Sequence, residues 1–155
     1  MIPYELQTFI IAATPIIELR GAIPIALFNY ELSITSAFIF SVLGNIFPVI
    51  FILLFLEKVS KFLSEKNKLF KKFFDWLFVR TRKNYQGNYE KLKDLFLIIF
   101  VAIPLPMTGA WTGSLCAFLF GVPFKKAFPL ISLGVIIAGV IVTLISLGII
   151  LIWNH

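Results

Sequence analysis

The chain of 155 residues contains a single cysteine, a single histidine and two methionines. Cys116 stands in an apolar run without a second thiol, so no disulfide can form within the chain. It reads as a small packing residue, since no other ligand types cluster near it. The one histidine, His155, is the last residue. The apolar segments hold no paired carboxylates, no nucleophile motif and no phosphate-cradling glycine loop with its lysine. Neither catalysis nor a cofactor or metal is expected. Charge is scarce as well: 14% of residues are charged and 59% are hydrophobic. An ordinary soluble domain, with about 25% charged residues, is excluded.

What charge there is lies in one place. The formal net charge is +6, but eleven of the fourteen Lys and Arg residues fall between Lys58 and Lys93. That concentration speaks against a nucleic-acid surface and marks the cytoplasmic face of a membrane protein. Four apolar stretches surround it, at about 6–29, 33–56, 95–124 and 127–153. Each meets the length of about 20 helical residues needed to cross a bilayer. Residues 33–56 and 127–153 carry no Asp or Glu and no basic residue, and read as true spans. The other two are interrupted by proline, glycine and polar residues.

Orientation separates two arrangements. Four simple spans would leave Lys125 and Lys126 on the face opposite the basic segment, against the positive-inside rule. If 95–124 enters and returns, both lysines stay with the other cations, and 6–29 becomes a hairpin dipping from the opposite face. Non-helical backbone at membrane depth must be covered by protein or water, and two facing hairpins cover each other. A faint internal repeat agrees: Ala37-Phe38 recurs as Ala127-Phe128 and Leu43-Gly44 as Leu133-Gly134, 90 residues on.

The expected fold is therefore an all-α integral membrane protein, an inverted repeat of re-entrant helical hairpin plus transmembrane helix. As one membrane domain, it comprises a hairpin (1–32), a span (33–56), a basic cytoplasmic segment (57–94), a second hairpin (95–124) and a second span (125–155). Within the basic segment Val59, Phe62, Phe70, Phe73 and Leu77 recur at helical spacing. This predicts a central amphipathic helix lying in the inner headgroup layer, held by anionic lipid.

The first broken stretch holds Thr14-Pro15, a helix-start signal, then Glu18, Arg20, Gly21 and Pro24. A charge at the bilayer centre costs at least about 2.5 kcal/mol, so two of them call for partners or water. At about 100° per residue Glu18 and Arg20 diverge on a regular helix. They are expected to point separately into one polar site, the alternative being an ion pair closed by unwinding at Gly21. A low-dielectric setting penalises a carboxylate's charge, so Glu18 is the candidate for proton exchange. Arg20 suits phosphate or carboxylate. Asn45, three residues before Pro48, offers a neutral hydrogen-bonding group from the first span.

The second broken stretch reads PLPMTGAWTG from residue 104. Pro104 and Pro106 end a helix, and Thr108 is placed to cap a new one at Gly109. Free N–H groups at such a start attract anions or polar substrate groups. Gly109, Gly113, Ala117 and Gly121 form a ridge of small residues that lets helices approach closely in lipid.

At ELRGAIP (18–24) and PLPMTGAWTG (104–113) the chain resembles the small multidrug export protein family, itself distantly similar to the DedA or SNARE-associated (VTT) superfamily. The resemblance implies two inverted re-entrant hairpins in the cytoplasmic membrane of a prokaryote. It also implies a proton-coupled transporter, or a translocator of lipids such as polyprenyl phosphates. The leading expectation is a small transporter moving a small molecule or a lipid, a homo-oligomer in contact with membrane lipids and with no nucleic-acid partner. An uncoupled lipid scramblase or polyprenyl-phosphate translocase, and a non-transporting membrane organiser, are the alternatives. Unlike DedA-type proteins, which are expected to bring charge in both hairpins, this chain has none between Leu95 and Phe124.

Overall fold

The computed structural model describes residues 2–66, 68, 71, 72, 75, 76, 79, 88–105 and 108–153, and six helices have bounds among the described residues. They are α1 (Tyr4–Ala13), α2 (Glu18–Phe28), α3 (Ile34–Lys66), α4 (Asn88–Ala102), α5 (Ala110–Leu119) and α6 (Phe124–Trp153). No strand occurs among the described residues. Ile34–Leu56 and Phe124–Ile152 are long and apolar enough to cross a membrane, with mean hydropathies of 2.6 and 3.1. At 1.5 Å per residue, α1 and α2 are each only about 15–17 Å long, half of what a crossing requires.

The short helices pair and turn back. The rings of Tyr4 and Tyr30 stack at 4.7 Å, which brings the start of α1 to the end of α2. Phe96 and Phe120 approach to 5.8 Å, and Lys126 Nζ lies 2.9 Å from Asp94 Oδ2. Residues 95–124 thus return to the end at which they began. The two pairs enter from opposite ends, because Ile34 and Thr35 at the start of α3 lie beside Val140 and Leu144, far along α6.

Packing repeats with a 90-residue offset. Helix α1 lies on α3 as α4 lies on α6, while α2 and α5 each touch both long helices. A Cβ on Gly44 would collide with the Phe9 carbonyl of α1, and one on Gly134 would sit 2.9 Å from the Ile98 carbonyl of α4. The four positive-φ residues among those described fall into two pairs, Glu18 with Gly109 and Glu31 with Gly121. Leu32 N–H and Val122 N–H then reach back to the carbonyls of Ala26 and Ala117, closing both hairpins alike.

The interior is built of small residues. Ala12, Ala22, Ala26, Ala37, Ala110 and Ala127 are fully buried, with Leu19, Ile23, Leu97 and Ile131 filling the space between them. Lipid offers no solvent-driven collapse, so close van der Waals approach has to hold such helices together.

The basic segment differs from its expected form. Helix α3 does not stop near residue 56 but continues to Lys66, because Glu, Lys and Leu in EKVSKFLSEK are strong helix formers. Lys68, Lys71, Lys72, Asp75 and Trp76 are helical and exposed. Phe70, Phe73 and Leu77 lie outside the described residues.

Gly44→Ala sets a methyl against backbone that cannot rotate away, and overpacking of this kind costs about 1–3 kcal/mol. Gly134→Ala meets Val101 and the Ile98 carbonyl and should lose a similar amount. Gly148 has nothing within 4 Å of an added Cβ, so Gly148→Ala should gain up to about 1 kcal/mol from helix propensity. Thermal unfolding in detergent reads all three.

Candidate functional site

Two breaks in the helices meet at the centre of the molecule. In the first, Thr14 ends α1 rather than starting a helix, its hydroxyl donating to the Ile11 carbonyl at 2.7 Å, and residues 15–17 turn before α2 begins at Glu18. In the second, α4 ends at Ala102 and α5 begins at Ala110. Thr108 does not cap α5, whose N-cap is Gly109 and which has no side-chain cap. Its hydroxyl instead ties the turn, 2.6 Å from the Ile103 carbonyl and 2.7 Å from that of Leu105, while accepting the Leu105 N–H at 3.1 Å. The prolines explain the difference, since they deprive this segment of regular helical bonds.

Glu18 joins the two breaks. It is 2% exposed, and its φ of 49° puts a non-glycine residue in the left-handed region at a cost of about 1–2 kcal/mol. That turn sends its side chain across to the second break. Its Oε1 accepts the Trp111 backbone N–H at 3.4 Å, so the carboxylate rests on the free N-terminus of α5. Gly109 lies beneath it, and any Cβ there would collide with the carboxylate. The Trp111 indole N–H donates to the Ala13 carbonyl at 3.3 Å, a second tie between the breaks.

Arg20 completes the charge balance. Its Nη2 lies 2.9 Å from Glu18 Oε2, so the two residues form an ion pair rather than pointing separately. The expected divergence assumed regular helix at both positions, and the left-handed Glu18 removes it. The unwinding therefore sits at 14–18 and not at Gly21, which is helical and packed on Ile17.

Glu18, Arg20, Asn45, Pro104, Thr108 and Gly109 line a common cavity of about 10 Å³, near the minimum that holds one water. Its apolar walls are Leu19, Val101 and Ala138. Asn45 is 1% exposed with Oδ1 unpartnered, and Arg20 Nε is likewise buried and unpartnered. Gly21, Pro24 and Gly113 are not brought to this cavity: Pro24 lies inside α2, and Gly113 seats α5 against Val101. Pro106 lies outside the described residues. Sequence reasoning missed Trp111, although a tryptophan in an apolar segment signals an N–H that needs an acceptor.

A family model described as "Putative small multi-drug export protein" matches residues 18–141, from the start of α2 through α3 and the second break into α6. No curated protein and no solved structure matches the chain.

Gly109→Ala should destabilise the protein by more than about 1–3 kcal/mol, through its φ of 130° and its clash with Glu18. Glu18→Ala alone strips Arg20 of its partner. The double variant should be less unstable than the sum of the two, because truncating Glu18 makes room for the methyl. A thermal-unfolding cycle in detergent measures the coupling.

Proposed function

Because the chain belongs to the family of small multi-drug export proteins and has two helices able to cross a membrane, we propose that it is a proton-coupled transporter of small or amphipathic molecules. On this reading the two helix pairs are re-entrant hairpins of an inverted repeat, facing each other near the midplane of a prokaryotic cytoplasmic membrane. The 90-residue recurrence of glycine contacts and positive-φ turns supports the repeat, as does the ion pair of Lys126 with Asp94. The likeness to DedA proteins rests on the same two broken segments. Homo-oligomers and lipid contacts belong to this proposal as well.

The observation that carries it is the Glu18 carboxylate, buried, turned into a left-handed conformation, and bound at once by Arg20 and by the start of α5. While ionised it neutralises Arg20 and ties the hairpin tips together. Proton uptake removes the charge and leaves a half-buried guanidinium without its counter-ion. Breaking a fully buried pair costs about 3–5 kcal/mol, the upper limit for this partly exposed one, and the unpaired cation favours a rearranged tip in which Arg20 finds water or a substrate group. Rocking of one hairpin-and-span unit against the other then changes the side to which the cavity opens.

An uncoupled lipid scramblase is the second reading. A groove of about 310 Å³ between α3 and α6, lined by Ile34, Phe38, Val140 and Leu144 with Thr35 and Thr143, favours it by offering a largely apolar track.

Proteoliposomes carrying the protein should move a fluorescent amphiphilic dye such as ethidium in response to an imposed pH gradient. Glu18→Gln keeps the size and hydrogen-bonding capacity of the side chain but cannot titrate, and should lose the coupling. Undiminished coupling in Glu18→Gln would sink the assigned role. Scrambling of a fluorescent phospholipid without any gradient would select the second reading.

A further inference from the structure

The buried face of α3 changes character halfway along. At four-residue spacing it presents Ser33, Ala37, Ser41 and Asn45, and then Val49 and Leu53. Such residues lie one turn apart on a single stripe. Ser33 is exposed at the helix start, where its Oγ accepts the Ser36 N–H at 3.2 Å. From Ala37 to Leu53 the stripe is buried throughout. Two of its groups are unsatisfied: Ser41, 0% exposed, has no partner for Oγ, and Asn45, 1% exposed, has none for Oδ1.

Buried polar atoms without a protein partner are ordinarily satisfied by internal water, because leaving them dry costs about 1–3 kcal/mol each. Ser41 and Asn45 are one turn apart, about 6 Å by helix geometry, a separation that a bridging water spans. Asn45 also lines the cavity that holds Glu18 and Arg20. Above Ser41 the methyl of Ala37 narrows the space less than any other side chain but glycine would, and α2, which packs on α3, also buries small residues, Ala22 and Ala26.

The matching stripe of α6 carries no such group, although the neighbouring Ser132 has a buried hydroxyl without a partner. Positions 90 residues on are Pro123, Ala127, Ile131 and Val135, so branched aliphatic side chains stand where Ser41 and Asn45 stand in α3. Ile131 and Val135 are both fully buried. Along that stripe the equivalent approach from the basic face is lined by Ala127, Ile131 and Val135.

We propose that Ser41 and Asn45 hold a one-sided water path, running from the α3 start at Ser33 to the Glu18 cavity and supplying it from the face opposite the basic segment. Its use as a proton path rests on the proposed role of Glu18, whereas the hydration and its sidedness do not. Val49 and Leu53 end it at the level of the cavity, so water enters from one side only in this conformation.

Silver ion, small and membrane-impermeant, tests the path in proteoliposomes of known orientation. With Cys116→Ser as background, Ser41→Cys, Asn45→Cys and Val135→Cys are exposed to silver nitrate on one face, then unfolded, and the remaining thiol is titrated with a maleimide. Ser41→Cys, the most conservative of the three, should be blocked an order of magnitude faster than Val135→Cys, and only from the face opposite the basic segment; Asn45→Cys should follow it. Reaction of Ser41→Cys no faster than Val135→Cys, or equally from both faces, overturns the path. Sided blocking together with intact coupling in Glu18→Gln would leave the path standing and remove Glu18 as the proton-exchanging group. Uniform protection with coupling lost in Glu18→Gln would do the reverse.

Discussion

The arrangement of this chain depends on one carboxylate satisfying two demands at once in a setting poor in water. Arg20 is a half-buried cation, and the start of α5 is a set of N–H groups with no helical partner; either one alone would be costly in the interior. Glu18 answers both, with Arg20 on one oxygen and Trp111 N–H on the other. The rest of the local design follows from getting it there. The break at 14–17 frees the backbone to turn, the left-handed φ at Glu18 aims the side chain, and Gly109 leaves a space into which it fits. The strain is concentrated where the charge is, a distribution common at functional sites.

Around that centre the two halves of the chain behave as variants of one plan. Each has two short helices joined by a proline-containing break, a turn with a residue of positive φ, and a long helix whose glycine admits a neighbouring carbonyl. The halves differ in the side chains they bring to the cavity. The first supplies Glu18, Arg20 and Asn45; the second supplies Thr108, Gly109 and the backbone and indole N–H groups of Trp111. One half brings the charged groups, and the other brings neutral groups that receive them. The absence of charge between Leu95 and Phe124 is then a division of labour within the site.

Much of the fold was legible from hydropathy and punctuation. The two uncharged runs became α3 and α6, and the breaks fell beside Pro15 and Pro104, because helix length and proline chemistry act locally. Six of the ten residues picked out for the site line one cavity, for a related reason: polar groups in apolar segments must converge to satisfy each other. The Glu18–Arg20 pair was legible only as the alternative, and with its unwinding placed at Gly21 rather than at Glu18. Its formation turns on a single left-handed residue, and no pattern of residue types specifies that for a glutamate. Thr108 was assigned to the wrong helix terminus, since capping propensity does not say which of two adjacent ends a hydroxyl serves. The extension of α3 to Lys66 was hidden by a change in polarity that has no bearing on helix propensity.

If Glu18 is the tie between the hairpin tips, its charge should set the distance between them. Ile16 and Leu105 are both exposed, one in each break, and in a Cys116→Ser background they can carry a pair of spin labels as cysteines. The account predicts a narrow distance distribution at alkaline pH, broadening on acidification, and the broad distribution at every pH once Glu18 is replaced by glutamine. A distribution unchanged by pH and by Glu18→Gln would contradict it.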